Sequence, residues 1–132
     1  AGSRLAEKRC RLMLENVFER TPGELVALFE QMAPGAAGCC LDVGHIAVFS
    51  DESLSGWLET LSAYIGQIHL HDNNGHADLH AGLGNGAIDF DPLFKWLRNS
   101  AELPVMTLEP HGQADLVASV AFLADRKWFQ PS

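Results

Sequence analysis

Four short apolar segments alternate with four amphipathic segments, and this alternation restricts the possible folds more than any other feature of the sequence. The apolar segments, at 10–14, 39–41, 65–70 and 105–108, have the length of strands. After the first of them, Leu25, Phe29 and Met32 recur at helical spacing. Strands that alternate with helices of about 10 to 15 residues are typical of a parallel sheet with right-handed crossovers. The sequence therefore predicts an α/β fold of four parallel strand–helix units.

Capping residues locate the predicted helices. Thr21 followed by Pro22 predicts an N-cap with proline at the first helical position. The next helix is predicted to begin at about Asp51, and Asp89 or Asp91 is predicted to cap the third.

Composition and charge limit the classes of function. With 132 residues, 47% of them hydrophobic, residues 1–132 are expected to form a single domain with a real core. No apolar run approaches the roughly 20 residues that cross a bilayer, so we expect no membrane partner and a cytoplasmic location. The net charge of -8 and the lack of a basic run argue against nucleic acid as a partner. An acidic site that holds a cation fits this balance better.

The three cysteines do not indicate a disulfide framework. Cys10, Cys39 and Cys40 are odd in number and lie in apolar, strand-like segments. We expect all three to be buried thiols in a reducing compartment.

Titratable side chains gather where the predicted strands end. Because the carboxyl ends of parallel strands lie on one face of the sheet, and enzymes of this architecture place their sites there, these residues are expected to meet. They are Glu15, Asp42 with His45, His69 with His71 and Asp72, and Glu109 with His111.

Imidazole and carboxylate groups together suit zinc, manganese, iron or cobalt. His69 and His71 are two residues apart, so both should project from the same face of their strand. Each residue alone also has a purely structural explanation: a histidine can satisfy a polar neighbour, and Asp42 can cap the following turn. Their joint occurrence at four strand ends favours a metal site.

The long loop 73–88 contributes a weaker set of candidates. Asp78 and His80 either take part in the site or serve turn geometry and solubility. His76 and His111 are expected to be peripheral. The glycines of 82–86 permit tight turns but do not form a dinucleotide-binding motif, since no helix begins directly on them.

Six short motifs follow one another at 14–17, 41–45, 68–73, 78–80, 84–90 and 108–110. In this order they resemble those of the sugar phosphate isomerase/epimerase family, which has a xylose isomerase-like TIM barrel and is related to endonuclease IV. The resemblance covers nearly the whole chain from about residue 10. Asn85 departs from the family pattern, which often has glutamate at this point, and a substrate or loop contact is in doubt there.

The resemblance implies roles for individual residues. Four ligands, Glu15, Asp42, His69 and Glu109, would hold a divalent metal such as Zn, Mn, Co or Mg. Glu15 and Glu109 would also exchange a proton at a carbon of a small sugar substrate. Four further residues would contact substrate or form a second metal position, as in the endonuclease relatives. They are His45, His71, Asp78 and His80.

Length is the larger departure from the family. A full barrel needs about 250 residues and eight strand–helix units, and this chain supplies four, which match the C-terminal half. We expect a second copy, another chain or an N-terminal half to complete the barrel. The leading function is a metal-dependent sugar or sugar phosphate isomerase or epimerase, or the C-terminal part of one. The alternatives are an endonuclease IV-like phosphodiesterase acting on abasic DNA and an inactive half-barrel that binds metal.

Overall fold

The computed structural model, which describes residues 4–8 and 10–128, contains one four-stranded parallel sheet. Its strands are β1 (Leu12–Glu15), β2 (Ala37–Asp42), β3 (Ile65–Leu70) and β4 (Val105–Leu108). They lie side by side in the order β1-β2-β3-β4, and every neighbouring pair is parallel. The predicted α/β fold with four parallel strands is therefore confirmed.

Six helices accompany the sheet in the described ranges: α1 (Arg4–Glu7), α2 (Gly23–Phe29), α3 (Val43–Phe49), α4 (Leu54–Leu61), α5 (Asp91–Asn99) and α6 (Gln113–Asp125). The sequence pattern did not predict α3, which begins directly where β2 ends. The next helix, α4, begins later than predicted, because Ser53 is its N-cap and accepts a hydrogen bond from the Gly56 amide.

Two capping predictions were wrong. The N-cap of α2 is Pro22 instead of Thr21, since the Pro22 carbonyl already accepts hydrogen bonds from the Leu25 and Val26 amides. The N-cap of α5 is Phe90, a buried residue, and neither predicted aspartate takes that position.

The hydrophobic core lies where the helices pack against the sheet. Its completely buried side chains include Leu41 and Ile68 from the strands, and Trp57, Leu61 and Leu93 from the helices. Burial of each such side chain contributes roughly 1.5–3 kcal/mol relative to exposure. This packing keeps the strand ends in register, and no described helix is long and apolar enough to cross a membrane.

The cysteine prediction was partly wrong. Cys39 and Cys40 are buried and free, but Cys10 is exposed, because β1 begins at Leu12 and leaves Cys10 outside the sheet. Burial, together with nearby carboxylates such as Glu19 beside Cys39, raises the pKa of both buried thiols to about 12. These two residues are therefore uncharged packing groups.

Both outer strands have one neighbour each within the described sheet. Leu12 on β1 is 46% exposed, and Val105 on β4 is 65% exposed. The unpaired backbone groups of such edges favour pairing with further strands.

Candidate metal centre

The first cluster comprises Glu15, Asp42, His69 and Glu109. Each of the four strands contributes one of these residues, at its carboxyl end or directly after it. Asp42 and His69 are direct partners in the pairing of β2 with β3. His69 Nδ1 lies 3.4 Å from Glu15 Oε1, 3.8 Å from Asp42 Oδ2 and 3.2 Å from Glu109 Oε1. One donor atom of each residue lies within 4.8 Å of the others. The predicted convergence of these side chains is thus present in the structure.

The chemistry of the first cluster fits a divalent cation. His69 Nδ1 is buried, faces three carboxylates and has no hydrogen-bond partner among the described residues. A buried polar atom without a partner costs about 1–3 kcal/mol, and a bound cation would remove that cost. Burial, together with the Asp42 charge, raises the pKa of Glu15 despite the opposing effect of His69. Crowded carboxylates beside an imidazole are a suitable ligand set for a divalent metal.

Hydrogen bonds fix both the backbone and the side chain of Asp42. Its amide donates to Asn16 Oδ1 (2.7 Å), and Asn16 Nδ2 donates to its carbonyl oxygen (3.0 Å). Its carboxylate accepts from the His45 amide and so caps α3. Capping and membership of the cluster, considered as alternatives from the sequence, are therefore compatible.

A second cluster lies beside the first and comprises His45, His71, Asp78 and His80, again with donor atoms within 4.8 Å of one another. His45 Nδ1 lies 2.8 Å from the Asn16 carbonyl oxygen, and His80 Nδ1 lies 2.8 Å from that of Glu109. Carbonyl oxygens only accept hydrogen bonds, so both Nδ1 atoms carry the proton.

The free nitrogens of the second cluster converge on Asp78. The Nε2 atoms of His45 and His80 each lie 3.3 Å from Asp78 Oδ2. His80 adopts a φ of 48°, a left-handed conformation that costs a non-glycine residue roughly 1 kcal/mol or more. Lone pairs that face a carboxylate repel it, so this arrangement also fits a bound cation.

His71 connects the two clusters. It is completely buried, and its Nε2 lies 3.0 Å from Asp42 Oδ1. Burial by itself lowers the pKa of His71, but the hydrogen bond and charge of Asp42 outweigh it, and the pKa lies above its usual value. For Asp42, burial raises the pKa, and the bond and charge of His71 reverse this, so its pKa lies below the usual value.

Asp72, expected to support the site, organises the loop that follows it. Its buried carboxylate accepts hydrogen bonds from four backbone amides, and its own backbone pairs with Ala81. This closes the loop so that Asp78 and His80 return to the strand ends. The four donors are the amides of Asn73, Gly84, Gly86 and Ile88.

The structure brings together every residue selected from the sequence as a ligand or substrate contact. His76 is exposed and peripheral, as expected. His111 is also exposed, but its ring stacks on His80 with centroids 4.1 Å apart.

Besides Asn16, two residues support the site and were not selected from the sequence. Gln67 Nε2 lies 3.1 Å from His69 Nε2 and 3.2 Å from Thr107 Oγ1. The two-residue spacing of Gln67, His69 and His71 was the available signal for it. Gly44 leaves room for the His71 ring, and no local pattern marks that contact.

The xylose isomerase-like TIM barrel family model matches residues 1–126 of the chain. The uncharacterized protein MJ1614 of Methanocaldococcus jannaschii is 34% identical over 76 residues, which are 58% of this chain and 29% of that protein. The chain thus spans much less than the full length of this relative.

Solved structures match over nearly the whole chain. A D-tagatose 3-epimerase-like protein has a TM-score of 0.81 and 25% identity, covering 92% of this chain and 48% of that one. The TTHB071 protein from Thermus thermophilus, from a crystal soaked with ZnCl2, has a TM-score of 0.77 and 33% identity, covering 98% and 49%. The chain therefore corresponds to about half of a TIM barrel.

Proposed function

The chain belongs to the xylose isomerase-like TIM barrel family, and we propose that it is a metal-dependent sugar or sugar phosphate isomerase or epimerase, or the C-terminal part of one. The observation that carries this proposal is the placement of Glu15 and Glu109, whose Oε1 atoms both lie within 3.4 Å of His69 Nδ1. The likeness to a D-tagatose 3-epimerase-like protein supports a sugar as the substrate.

The two glutamates come from opposite edges of the sheet and would do the proton transfer. Each carboxylate has two oxygens, so one can face the metal while the other contacts substrate. Glu15 or Glu109 would take a proton from a substrate carbon, and the other would return one. The first cluster would hold the divalent ion, be it Zn, Mn, Co or Mg, and such an ion polarises carbonyl and hydroxyl oxygens next to the reacting carbon.

The second cluster is proposed as a second cation position. The proton positions on His45 and His80 support this, because both leave Nε2 free toward Asp78. The alternative is that the second cluster contacts sugar hydroxyls. Equilibrium dialysis distinguishes the two roles: we expect two bound zinc ions per chain. A single bound zinc ion would indicate that the second cluster contacts the substrate instead.

Solvent exchange tests the proposed reaction. The metal-depleted chain, resupplied with Mn²⁺, Co²⁺, Zn²⁺ or Mg²⁺, is incubated in D2O with ketoses and their phosphates, and deuterium at carbon is followed by NMR. Glu15→Gln and Glu109→Gln should each reduce exchange by about 100-fold or more. The exposed Glu59→Gln is the matched control. Exchange that persists in both site variants would refute the proposed roles.

Phosphodiester cleavage at abasic sites in DNA is a second candidate. The presence of two neighbouring clusters favours it, since several divalent ions can stabilise a displaced phosphate oxygen. The net charge of -8 weighs against it. An abasic oligonucleotide that is cut by the metal-loaded chain, with no sugar exchange, would replace the first proposal. Metal binding without either activity would indicate that the chain is an inactive half-barrel that binds metal.

We further propose that a second half-barrel pairs with the open edges β1 and β4, supplied by a second copy, another chain or an N-terminal half. The exposed Leu12 and Val105 support this, as does the 48% coverage of the epimerase-like structure. Sedimentation measures it for the 132-residue chain: a dimer is expected if a second copy fills the position. A well-folded monomer would exclude that copy.

A further inference from the structure

The guanidinium of Arg11 lies on the same face of the sheet as the first cluster, near the opposite end of the strands. A Cβ atom at Gly38 would lie 2.8 Å from Arg11 Cζ, and one at Gly66 would lie 3.3 Å from Arg11 Nη1. Gly38 and Asp42 are four residues apart in β2, so both point to this face. The two glycines thus leave the space that the Arg11 side chain fills.

Arg11 has few partners for a charged group on a face that a second half-barrel would cover. A guanidinium has five N–H donors, and the described residues give it one acceptor, the Ala37 carbonyl oxygen, 3.1 Å from Nη2. Glu102 borders the same cavity of about 630 Å³ but forms no ion pair with Arg11 within the described ranges. Once this face is covered, the charge needs a partner, because an uncompensated buried charge is strongly destabilising.

A second copy of this chain would not supply that partner. On this face, the positions nearest the amino ends of the other three strands are Gly38, Gly66 and Val105, and none of them carries a carboxylate. The copy would instead bring its own Arg11 into the interior of an eight-stranded barrel, which is just wide enough for side chains to fill. Two like charges placed in this way oppose association.

We propose that Arg11 is a docking contact and that the completing half carries a carboxylate opposite it, so that the partner is a different half-barrel and not a second copy. This inference rests on the proposal that a second half pairs with β1 and β4, and it specifies the chemistry of that half. A carboxylate forms two parallel, charge-assisted hydrogen bonds with a guanidinium, which add specificity as well as affinity. The chain covers 48% of the D-tagatose 3-epimerase-like protein, which supports a partner half of similar size.

A charge-reversed copy of the chain serves as the test partner. Arg11→Glu offers the required carboxylate, and analytical ultracentrifugation compares wild type, the variant and their equimolar mixture. We expect the mixture to associate at least about 10-fold more tightly than either chain alone, because an ion pair replaces two like charges. The carboxylates of the first cluster are identical in every sample, so the difference reports on position 11. Lys95→Glu, exposed on α5, makes the same change of charge away from this face and should not associate with wild type.

A second readout and a second variant complete the test. In wild type labelled with 15N-arginine, the side-chain N–H signals of Arg11 should become protected from exchange with water in the mixture. Arg11→Gln, which removes the charge and keeps N–H donors, should self-associate more tightly than wild type, and it replaces Arg11→Glu if that variant does not fold. If wild type pairs with itself as tightly as with Arg11→Glu, a second copy fits and the inference is wrong. Absence of association from every sample would contradict both the inference and the proposed second half, whereas association without sugar exchange would count against the proposed function alone.

Discussion

Gly44 and His71 are in such close contact that a side chain at position 44 would collide with the imidazole. A Cβ atom there would overlap with His71 Cε1, and its three nearest neighbours are all atoms of that ring. The backbone of Gly44 is itself held, because Asn73 Nδ2 donates to its carbonyl oxygen at 2.9 Å. The start of α3 therefore determines where the His71 ring lies.

Gly44→Ala is expected to displace the His71 ring and to break its hydrogen bond to Asp42. Because Asp42 belongs to the first cluster, zinc binding there should weaken by at least about 10-fold, the typical effect of losing a hydrogen-bond partner of a ligand. Overpacking should also lower the free energy of unfolding by about 1–3 kcal/mol. Gly56→Ala in α4 is the control, because helix propensity alone favours alanine by about 0.5–1 kcal/mol. Zinc titration and urea unfolding measure both effects. Wild-type zinc affinity in Gly44→Ala would contradict the proposed dependence on this contact.

Gln67 is expected to set the tautomer of His69. The structure places the amide nitrogen of Gln67 3.1 Å from His69 Nε2, and a half-turn of the amide, whose two ends have the same shape, brings its oxygen there instead. In that orientation Gln67 accepts the proton of His69 Nε2 and leaves Nδ1 free for the first cluster. Gln67→Leu removes this acceptor and should weaken metal binding at the first cluster by about 10- to 100-fold. Gln67→Glu keeps an acceptor and should retain most of the affinity. Competition with a chromophoric chelator compares them, and equal affinity in the leucine variant would exclude this role.

Asp72→Asn should destabilise the whole loop. The asparagine has a single acceptor oxygen for four backbone amides, two of which lose their partner. An unsatisfied amide costs about 1–3 kcal/mol when it is fully buried. Because three of these four hydrogen bonds are only partly buried, we expect a loss of about 2 kcal/mol in the free energy of unfolding. The exposed Asp125→Asn should change it by no more than about 0.5 kcal/mol. Urea denaturation of the metal-free chain measures both changes, and equal midpoints for the two variants would refute the anchoring role of Asp72.

The Asp42–His71 pair should make the stability of the metal-free chain depend on pH. The raised pKa of His71 means that its contribution is fully present below about 6.5 and is lost as the pH rises through the folded-state pKa. The lowered pKa of Asp42 means that its contribution is present above about 3.9 and is lost as the pH falls through its folded-state pKa.

Both charges therefore stabilise the fold most between about pH 4 and 6.5. The stability difference between wild type and Asp42→Asn, measured by thermal unfolding with a chelator, should be largest in this range and smaller at alkaline pH. A difference that is constant with pH would show that the charges do not interact.

Sequence reasoning predicted that residues at the four strand ends meet, because this depends only on strand direction and not on the loops. The selection of Glu15, Asp42, His69 and Glu109 among them came from the family resemblance. It missed α3 because Asp42 ends a strand and caps a helix at once, with no intervening turn residue. The closure of loop 73–88 depends on hydrogen bonds from Asp72 to amides up to 16 residues away. Contacts of that range, like the one between Gln67 and Thr107, have no local sequence pattern.

All four residues of the first cluster come from consecutive strands of one half-barrel. Under the proposed function, the proton-transfer groups and their metal ligands would be inherited together as a unit. A different partner half joined to β1 and β4 could then introduce new substrate contacts without rebuilding the reaction centre. The catalytic chemistry and the choice of sugar could accordingly diverge separately, in evolution and in the engineering of chimeric barrels.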